Sequence, residues 1–207
     1  MFGKLKTFYF SLFTFNLEAM SSHHIVREKQ EPALYIHELA YFNEEHLGQL
    51  LEWSPTLIVL ASEYEKVVSL GLKVDVVVGN LDVGVALQEN MRIIPQQRNG
   101  MEDVMEFLVK EKYPAVNIIS TLSSFDDLTC YLPAINLVLF TEQGKHYAIK
   151  NNFSIWKPAG TIFLIDIVAY FEADNLMQQD EGKFVVVEDG LVSFRFQAPY
   201  LFIGELL

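Results

Sequence analysis

Cysteine is almost absent from this sequence, since Cys130 is the one thiol among 207 residues. A single cysteine excludes an internal disulfide framework and a metal site built from several thiolates. Chains without disulfides are typical of reducing compartments, and we therefore predict a cytoplasmic protein.

Basic residues are also scarce, and 15 Lys and Arg against 27 Asp and Glu give a formal net charge of −12. A field of this sign repels phosphate backbones, so we predict that nucleic acid is not a partner.

Long apolar runs are missing near the start of the chain. The run at residues 8–15 is shorter than the about 20 residues of a membrane-spanning helix, and we predict no membrane partner.

Residues 1–30 are predicted to be an N-terminal extension of the folded chain. Lys4 and Lys6 precede the short apolar run, an outline that also suits a secretory signal. The alternative is that translation starts at Met20 and that the preceding residues are an added piece. Both alternatives stay open.

From residue 31 the sequence alternates between strand and helix patterns. Short apolar runs of the strand type occur at residues 33–36, 56–60, 74–78 and 115–119. Periodic segments of the helix type occur at residues 44–52, 62–70, 101–112 and 128–137. Strand–helix–strand units in succession imply a parallel sheet with helices packed on both of its faces.

Beyond Phe140 the pattern changes to short β-rich runs separated by turn signals. Asp189-Gly190 between two such runs predicts a hairpin. We therefore predict the α/β class, with a nucleotide-binding-like parallel-sheet domain at 31–142 and a small antiparallel β domain at 143–207. A β domain of this size has a limited core and should lean on the first domain or on a second copy of itself.

Polar side chains follow the strand at residues 74–78, where Asn80 and Asp82 lie two residues apart. Open α/β sheets bind ligands at this carboxyl edge. Asp103 lies in the first turn of a predicted helix, where the helix dipole favours a carboxylate that can also face the edge.

A hydroxyl-rich loop follows the strand at residues 115–119 and contains Ser123, Ser124 and Asp127. Its outline is that of a phosphate-binding turn at a helix N-terminus. The loop contains no glycine, which makes close approach of its backbone to a phosphate harder.

The stretch from Ala61 to Val83 resembles the core of the thiamine pyrophosphokinases. That family reads Ala-Asp-Gly-Gly, Pro-Asp and Gly-Asp-Phe-Asp-Ser over the spacing at which this chain has Ala61-Ser62-Glu63-Tyr64, Val74-Asp75 and Gly79-Asn80-Leu81-Asp82-Val83. The order of parts also matches over residues 33–196, because an α/β domain, an acidic helix start and a loop after a central strand precede the β-rich segment.

The resemblance implies ATP-dependent transfer of a pyrophosphoryl group to the hydroxyl of thiamine, with Mg²⁺ neutralising the polyphosphate. It also implies a homodimer formed through the β domain, with ATP and thiamine as the small-molecule partners. By position, it implies catalytic roles for Asp82 and Asp103, cofactor binding by Asn80, Ser123, Ser124 and Asp127, and metal ligation by Asp82, Asp103 and Asp127.

Several motif positions depart from the family. Glu63 and Tyr64 stand where the family has glycines, and Ser62 replaces the aspartate before them. Phe125 and Leu128 replace the arginine and the histidine of the family's Gly-Gly-Arg-x-Asp-His motif. These changes remove a bidentate phosphate ligand and a proton-exchanging group.

Three interpretations of the sequence follow from these matches and departures. The primary prediction is a divergent thiamine pyrophosphokinase with weak or altered activity. The alternative is a non-catalytic relative that binds a nucleotide, a thiamine compound or a partner protein. The third interpretation is a structural α/β scaffold whose acidic residues are a solvated sheet edge.

Overall fold

The computed structural model describes residues 31–122, 124–165 and 170–206. The predicted extension at residues 1–30 and Ser123 lie outside the described residues. Most of the described strands belong to one eleven-stranded sheet, and a three-stranded sheet packs beside it.

The parallel part of the large sheet is built from the first half of the chain. Its strands are β1 (Ala33–Ile36), β2 (Leu57–Leu60), β3 (Val76–Val78), β4 (Arg92–Ile94), β5 (Ala115–Ile119) and β6 (Asn136–Phe140). They lie in the order β6-β5-β1-β2-β3-β4, so β1 pairs with β2 on one side and with β5 on the other. The winding therefore reverses between β1 and β5, which is where ligand clefts form in sheets of this kind.

Three helices connect the strands, namely α1 (Glu44–Leu51), α2 (Tyr64–Ser69) and α3 (Gly100–Lys110). Leu47 of α1 and Val67 of α2 pack in one buried cluster, and Val104 and Leu108 of α3 pack in another with Tyr35. The three helices thus cover opposite faces of the sheet. None of the helices in the described part of the chain is both long and apolar enough to span a membrane.

The antiparallel strands come from the second half of the chain. The large sheet continues with β7 (Gly144–Ile149), β9 (Ile162–Ile165), β11 (Leu176–Asp180), β12 (Lys183–Val186) and β14 (Leu201–Leu206). The small sheet contains β8 (Ser154–Lys157), β10 (Phe171–Asp174) and β13 (Gly190–Phe196). Because β6 pairs directly with β7, the parallel and antiparallel parts share one continuous sheet. The division into domains at residue 142 stays a prediction.

A buried carboxylate ties the two sheets together. Glu205 on β14 is 8% exposed and forms ion pairs with Lys145 of β7, at 3.4 Å, and with Lys157 of β8. The ends of β8 and β14 are thereby held against each other, although the strands belong to different sheets.

The predicted helix at residues 128–137 is wrong. The segment contains a short 3-10 helix at Thr129–Tyr131, and the chain then enters β6 at Asn136. Pro133 cannot donate a backbone hydrogen bond within a helix, which limits the helical turn that precedes it. The apolar residues after Pro133 pair with β5 at the centre of the sheet.

The predicted hairpin at Asp189-Gly190 is also wrong. The strand before it, β12, pairs with β9 and β11, whereas the strand after it, β13, pairs with β8 and β10. The turn therefore carries the chain from one sheet to the other. The carboxylate of Asp189 accepts a hydrogen bond from the backbone N–H of Ala159 at 2.7 Å.

The first residue of β7 allows β14 to approach closely. A Cβ added at Gly144 would lie 2.3 Å from the carbonyl oxygen of Glu205. We expect Gly144→Ala to lower the free energy of unfolding by about 1–3 kcal/mol, because the backbone of β14 has to shift. Urea unfolding measures the effect.

Gly48→Ala is the matched control, because a Cβ at this exposed helical glycine would have no atom within 4 Å. This variant should be neutral or stabilising by up to about 1 kcal/mol. Equal stability of the two variants would contradict the close packing of β7 against β14.

Candidate functional site

The carboxyl end of β3 opens into a cavity of about 360 Å³. Asn80 and Asp82 line this cavity together with Ser62 and Gln96. Within the described ranges, the exposed side chain of Asp82 makes no hydrogen bond or ion pair. Asp82 is therefore available to a ligand at the mouth of the cavity.

Asp103 has a different environment. Its side chain is 9% exposed and accepts hydrogen bonds from the backbone N–H groups of Gln97 at 3.0 Å and Arg98 at 3.2 Å. This carboxylate holds the loop that leads into α3. Burial, with a further contribution from the charge of Asp103, raises the pKa of the Tyr35 phenol, which therefore stays protonated beneath the helix.

The hydroxyl-rich loop after β5 is held by contacts within itself. Ser124 Oγ donates to the carboxylate of Asp126 at 2.7 Å and accepts from its backbone N–H at 3.1 Å. The next residue, Asp127, is exposed. The predicted role of Ser123 falls outside the described residues.

The predicted metal ligands do not form one cluster in this structure. Among residues 31–122, 124–165 and 170–206, no group of three or more His, Cys, Asp and Glu side chains is close enough to hold a metal ion. Asp82, Asp103 and Asp127 as placed do not fit a shared Mg²⁺ ion. Their assigned roles in catalysis and in Mg²⁺ and ATP binding stay predictions.

Glu63 and Tyr64, which stand where the family has glycines, form hydrogen bonds to neighbouring loops. Glu63 accepts a hydrogen bond from the backbone N–H of Leu39 at 3.1 Å. Tyr64 is 1% exposed, and its hydroxyl donates to the carbonyl of Ala86 and accepts from the N–H of Gln88, both at 3.1 Å. The two side chains thus join the start of α2 to the loop after β1 and to the loop between β3 and β4.

The positions of the family's arginine and histidine are part of the core. Phe125 is 6% exposed, Leu128 is 3% exposed, and both belong to the cluster that packs under α3. The ring of Phe125 lies 5.2 Å from the ring of Phe202 on β14. Apolar packing thus occupies the two positions at which the resemblance implies charged or proton-exchanging side chains.

Sequence reasoning missed a polar cluster at the point where the winding reverses. His37, directly after β1, has Nδ1 3.1 Å from Ser120 Oγ, directly after β5. Thr121 donates to the carboxylate of Glu38 at 2.6 Å. Burial lowers the pKa of His37 despite the opposing charges of Glu38 and Glu63, so its imidazole is neutral near pH 7. Consecutive polar residues after two neighbouring parallel strands are the signal that could have found this cluster.

Two cavities adjoin this cluster, and the side chains of His146 and Leu164 line both of them. We call the two cavities the larger and the smaller lobe of the His146 cleft. The larger lobe has a volume of about 510 Å³ and reaches Phe125 and Phe202. The smaller lobe has a volume of about 300 Å³ and reaches Ser120. Burial lowers the pKa of His146.

The glycine at position 204 makes room for the His146 ring. Gly204 on β14 pairs with His146 on β7, and a Cβ at this glycine would lie 2.8 Å from His146 Nδ1. The imidazole therefore lies against bare backbone between the two lobes.

The two carboxylates assigned catalytic roles should respond differently to removal. Asp103→Ala leaves two backbone N–H groups without their acceptor, and we expect it to lower the free energy of unfolding by about 1–3 kcal/mol. The exposed Asp82→Ala variant should change it by less than about 0.5 kcal/mol. Chemical denaturation of both variants checks this, and a stable Asp103→Ala protein would argue against the structural role of Asp103.

Solved structures of thiamine pyrophosphokinases are similar to this chain in fold. The yeast thiamine pyrophosphokinase aligns with a TM-score of 0.62 at 9% identity, over 89% of this chain and 88% of that chain. The protein from Bacillus subtilis aligns with a TM-score of 0.59 at 9% identity, over 85% of this chain and 99% of that chain. The protein from Candida albicans gives 0.57 at 9% identity, over 85% and 90%.

These structures support the fold more strongly than the sequence does. No protein-family model matches the sequence, and no curated protein sequence matches it. The alignment over most of both chains nevertheless confirms, at the level of fold, the resemblance indicated by the motifs between Ala61 and Val83. This chain has the fold of the thiamine pyrophosphokinases.

Proposed function

We propose that this chain is a thiamine pyrophosphokinase relative that binds a small molecule without transferring a pyrophosphoryl group. One observation carries the proposal: the chain's own buried side chains occupy the motif positions that would receive the nucleotide. Tyr64 is the clearest case, since it is 1% exposed and bonded at its hydroxyl.

Opening the glycine positions to a nucleotide would cost the contacts that Tyr64 makes. Exposing a large buried side chain forfeits about 1.5–3 kcal/mol of burial free energy, and its two hydrogen bonds would be lost as well. Glu63 adds a carboxylate beside the same position, which repels a polyphosphate.

Phosphoryl transfer also needs positive charge around the transferred group, supplied by metal ions and basic side chains. Phe125 is buried where the family has its arginine. The carboxylates of Asp82 and Asp103 make no metal cluster with other described residues. We therefore infer that the chain retains the fold and a ligand-binding cleft but does not catalyse ATP-dependent transfer.

A second candidate is retained pyrophosphoryl transfer from ATP to thiamine with Mg²⁺. The exposed carboxylate of Asp82 beside Asn80, at the mouth of the β3 cavity, favours it. In this alternative, Asp103 and Asp127 would have to move towards Asp82 when Mg²⁺ and ATP bind.

We also propose that the chain forms a homodimer through its β-rich second half, as the family resemblance implies. Trp156 on β8 and Leu191 on β13 are directly opposite each other on the small sheet and are 59% and 61% exposed. An exposed tryptophan next to an exposed leucine is an apolar surface of the kind that interfaces bury.

The transfer reaction is tested by incubating the purified chain with ATP, Mg²⁺ and thiamine and measuring thiamine diphosphate by mass spectrometry. We expect no product above the level without protein, and no heat from Mg²⁺–ATP at millimolar concentration in calorimetry. Product that forms with the wild type and is lost in Asp82→Asn would reject the proposal in favour of the second candidate. Glu188→Gln, at an exposed carboxylate after β12 and outside the β3 cavity, is the control.

The dimer is tested by light scattering coupled to size-exclusion chromatography. The wild type should have twice the chain mass, and Trp156→Lys should shift it to one chain mass, because burying a lysine at an apolar contact is costly. Trp53→Lys is the matched control, since Trp53 is 72% exposed after α1 and away from the small sheet. A monomeric wild type, or a dimer unchanged by Trp156→Lys, would contradict this interface.

A further inference from the structure

We propose that the larger lobe of the His146 cleft binds a small neutral phenol, whose ring packs on Phe125 and Phe202 and whose hydroxyl donates a hydrogen bond to His146 Nδ1. This inference rests on the proposed function, because it names the class of small molecule that the chain binds. It is carried by a ring nitrogen to which no described group is bonded and by the apolar wall beside that nitrogen.

The two ring nitrogens of His146 have different surroundings. Nε2 lies 3.5 Å from Thr141 Oγ1. This hydroxyl donates to the carbonyl of Gly144 and accepts from the backbone N–H groups of Gln143 and Gly144. Because the proton of the hydroxyl is used at Gly144, Nε2 faces Thr141 as the N–H donor. The neutral ring then has its free acceptor at Nδ1.

The Nδ1 atom lies on the side of the larger lobe. A Cβ at Gly204 would lie 2.8 Å from this nitrogen, and Gly204 lines the larger lobe, whereas Thr141 lines the smaller one. Within residues 31–122, 124–165 and 170–206, no group forms a hydrogen bond with Nδ1. Burial lowers the pKa of His146, so the ring is neutral near pH 7 and Nδ1 keeps its lone pair. A half-buried acceptor without a donor is a group that a ligand hydroxyl can satisfy.

The wall beside this nitrogen is aromatic and aliphatic. Phe125 and Phe202 line the larger lobe, and their ring centres lie 5.2 Å apart with the planes tilted by 30°. Leu164 and Ile203 line the same lobe. An aromatic ligand buries apolar area here and gains ring contacts of the offset kind. The volume of about 510 Å³ lies within the usual range for small-molecule sites.

The charges of the larger lobe favour a neutral ligand. No Lys or Arg belongs to its described lining, and Asp126 and Glu181 line it from exposed positions. These carboxylates repel aromatic acids and phosphates, and they offer a cation only solvent-exposed ion pairs, which contribute little. A phenol has a pKa of about 10 and is therefore uncharged near neutral pH.

Calorimetry with three probes tests the inference at about pH 7.5, where a histidine with a lowered pKa is uncharged. The first probe, p-cresol, has both the ring and the hydroxyl donor. The second, 4-methylanisole, keeps the oxygen but cannot donate, and the third, toluene, has no oxygen. We expect p-cresol to bind about three- to tenfold more tightly than either of the others, which corresponds to one neutral hydrogen bond.

Two substitutions of His146 separate hydrogen bonding from packing. His146→Leu removes the acceptor, and we expect this variant to bind the three probes with equal affinity. His146→Asn places an amide oxygen close to the position of Nδ1 and should keep the preference for p-cresol. A purely structural role of His146 would instead change the affinities for all three probes by the same factor.

A further pair of variants locates the binding in the larger lobe. Thr129→Trp fills this lobe from an exposed position on the short 3-10 helix and should abolish p-cresol binding. Ser69→Trp is the matched control, because Ser69 is also an exposed helical residue whose hydroxyl donates to a backbone carbonyl, and it lies outside both lobes. It should leave the affinity unchanged.

The inference fails if p-cresol does not bind, if it binds no more tightly than 4-methylanisole and toluene, if the two His146 variants behave alike, or if Thr129→Trp binds as well as Ser69→Trp. Thiamine diphosphate formation is measured on the same preparation. Absence of p-cresol binding without thiamine diphosphate overturns this inference and leaves the proposed function standing. Formation of thiamine diphosphate rejects the proposed function whatever the probes do.

Discussion

The parallel pairing of β1 with both β2 and β5 is the constraint on which the rest of the structure depends. Because β1 is the first strand and lies between them, the chain winds outward to β4 on one side and to β6 on the other. That reversal brings His37 and Ser120 together although 83 residues separate them. It also places the His146 cleft beside the start of the antiparallel strands.

Tyr64 and Phe125, which depart from the family's motifs, both make contacts within the protein. The hydroxyl of Tyr64, the first residue of α2, bonds to Ala86 and Gln88 in the loop after β3, and Asp82 lies earlier in the same loop. Once Phe125 replaces a basic residue, its ring packs on Phe202 and joins the loop after β5 to β14. At each of these two positions, the side chain makes a contact that stabilises the protein without a ligand. In the proposed function, this packing stands in place of a polyphosphate site.

The elements that the sequence predicted correctly are those whose apolar patterns involve only residues close to one another in the chain. The strands β1, β2, β3 and β5 and all three helices lie within or close to their predicted segments, because short apolar runs and periodic stripes depend on neighbouring residues. Asn43 caps α1 through Glu45 and His46, as its position before the helix indicates. The predicted helix at residues 128–137 is wrong because long-range pairing decides this segment: its last two residues already belong to β6, which pairs with β5.

The same distinction explains what the sequence predicted of the candidate site. Motif spacing located Asp82 at the end of β3, yet spacing could not tell that Asp103 uses its carboxylate for the backbone of Gln97 and Arg98. His37 and His146 had no assigned role because no neighbour in sequence marks them. The pairing of the strands shows that His37 directly follows the central strand β1 and that His146 lies against Gly204.

The charges around the cleft bear on how this fold can be used. A site for ATP has to supply positive charge at the carboxyl edge of the sheet, from a metal ion, a basic side chain or both. Here the described lining of the His146 cleft carries carboxylates and a neutral imidazole, and the loop after β5 has lost its basic position to Phe125. An acidic lining of this kind disfavours a polyphosphate, and it leaves the backbone arrangement of the fold unchanged. The fold fixes where a ligand binds, and the charges at the ends of the strands decide which ligand it is.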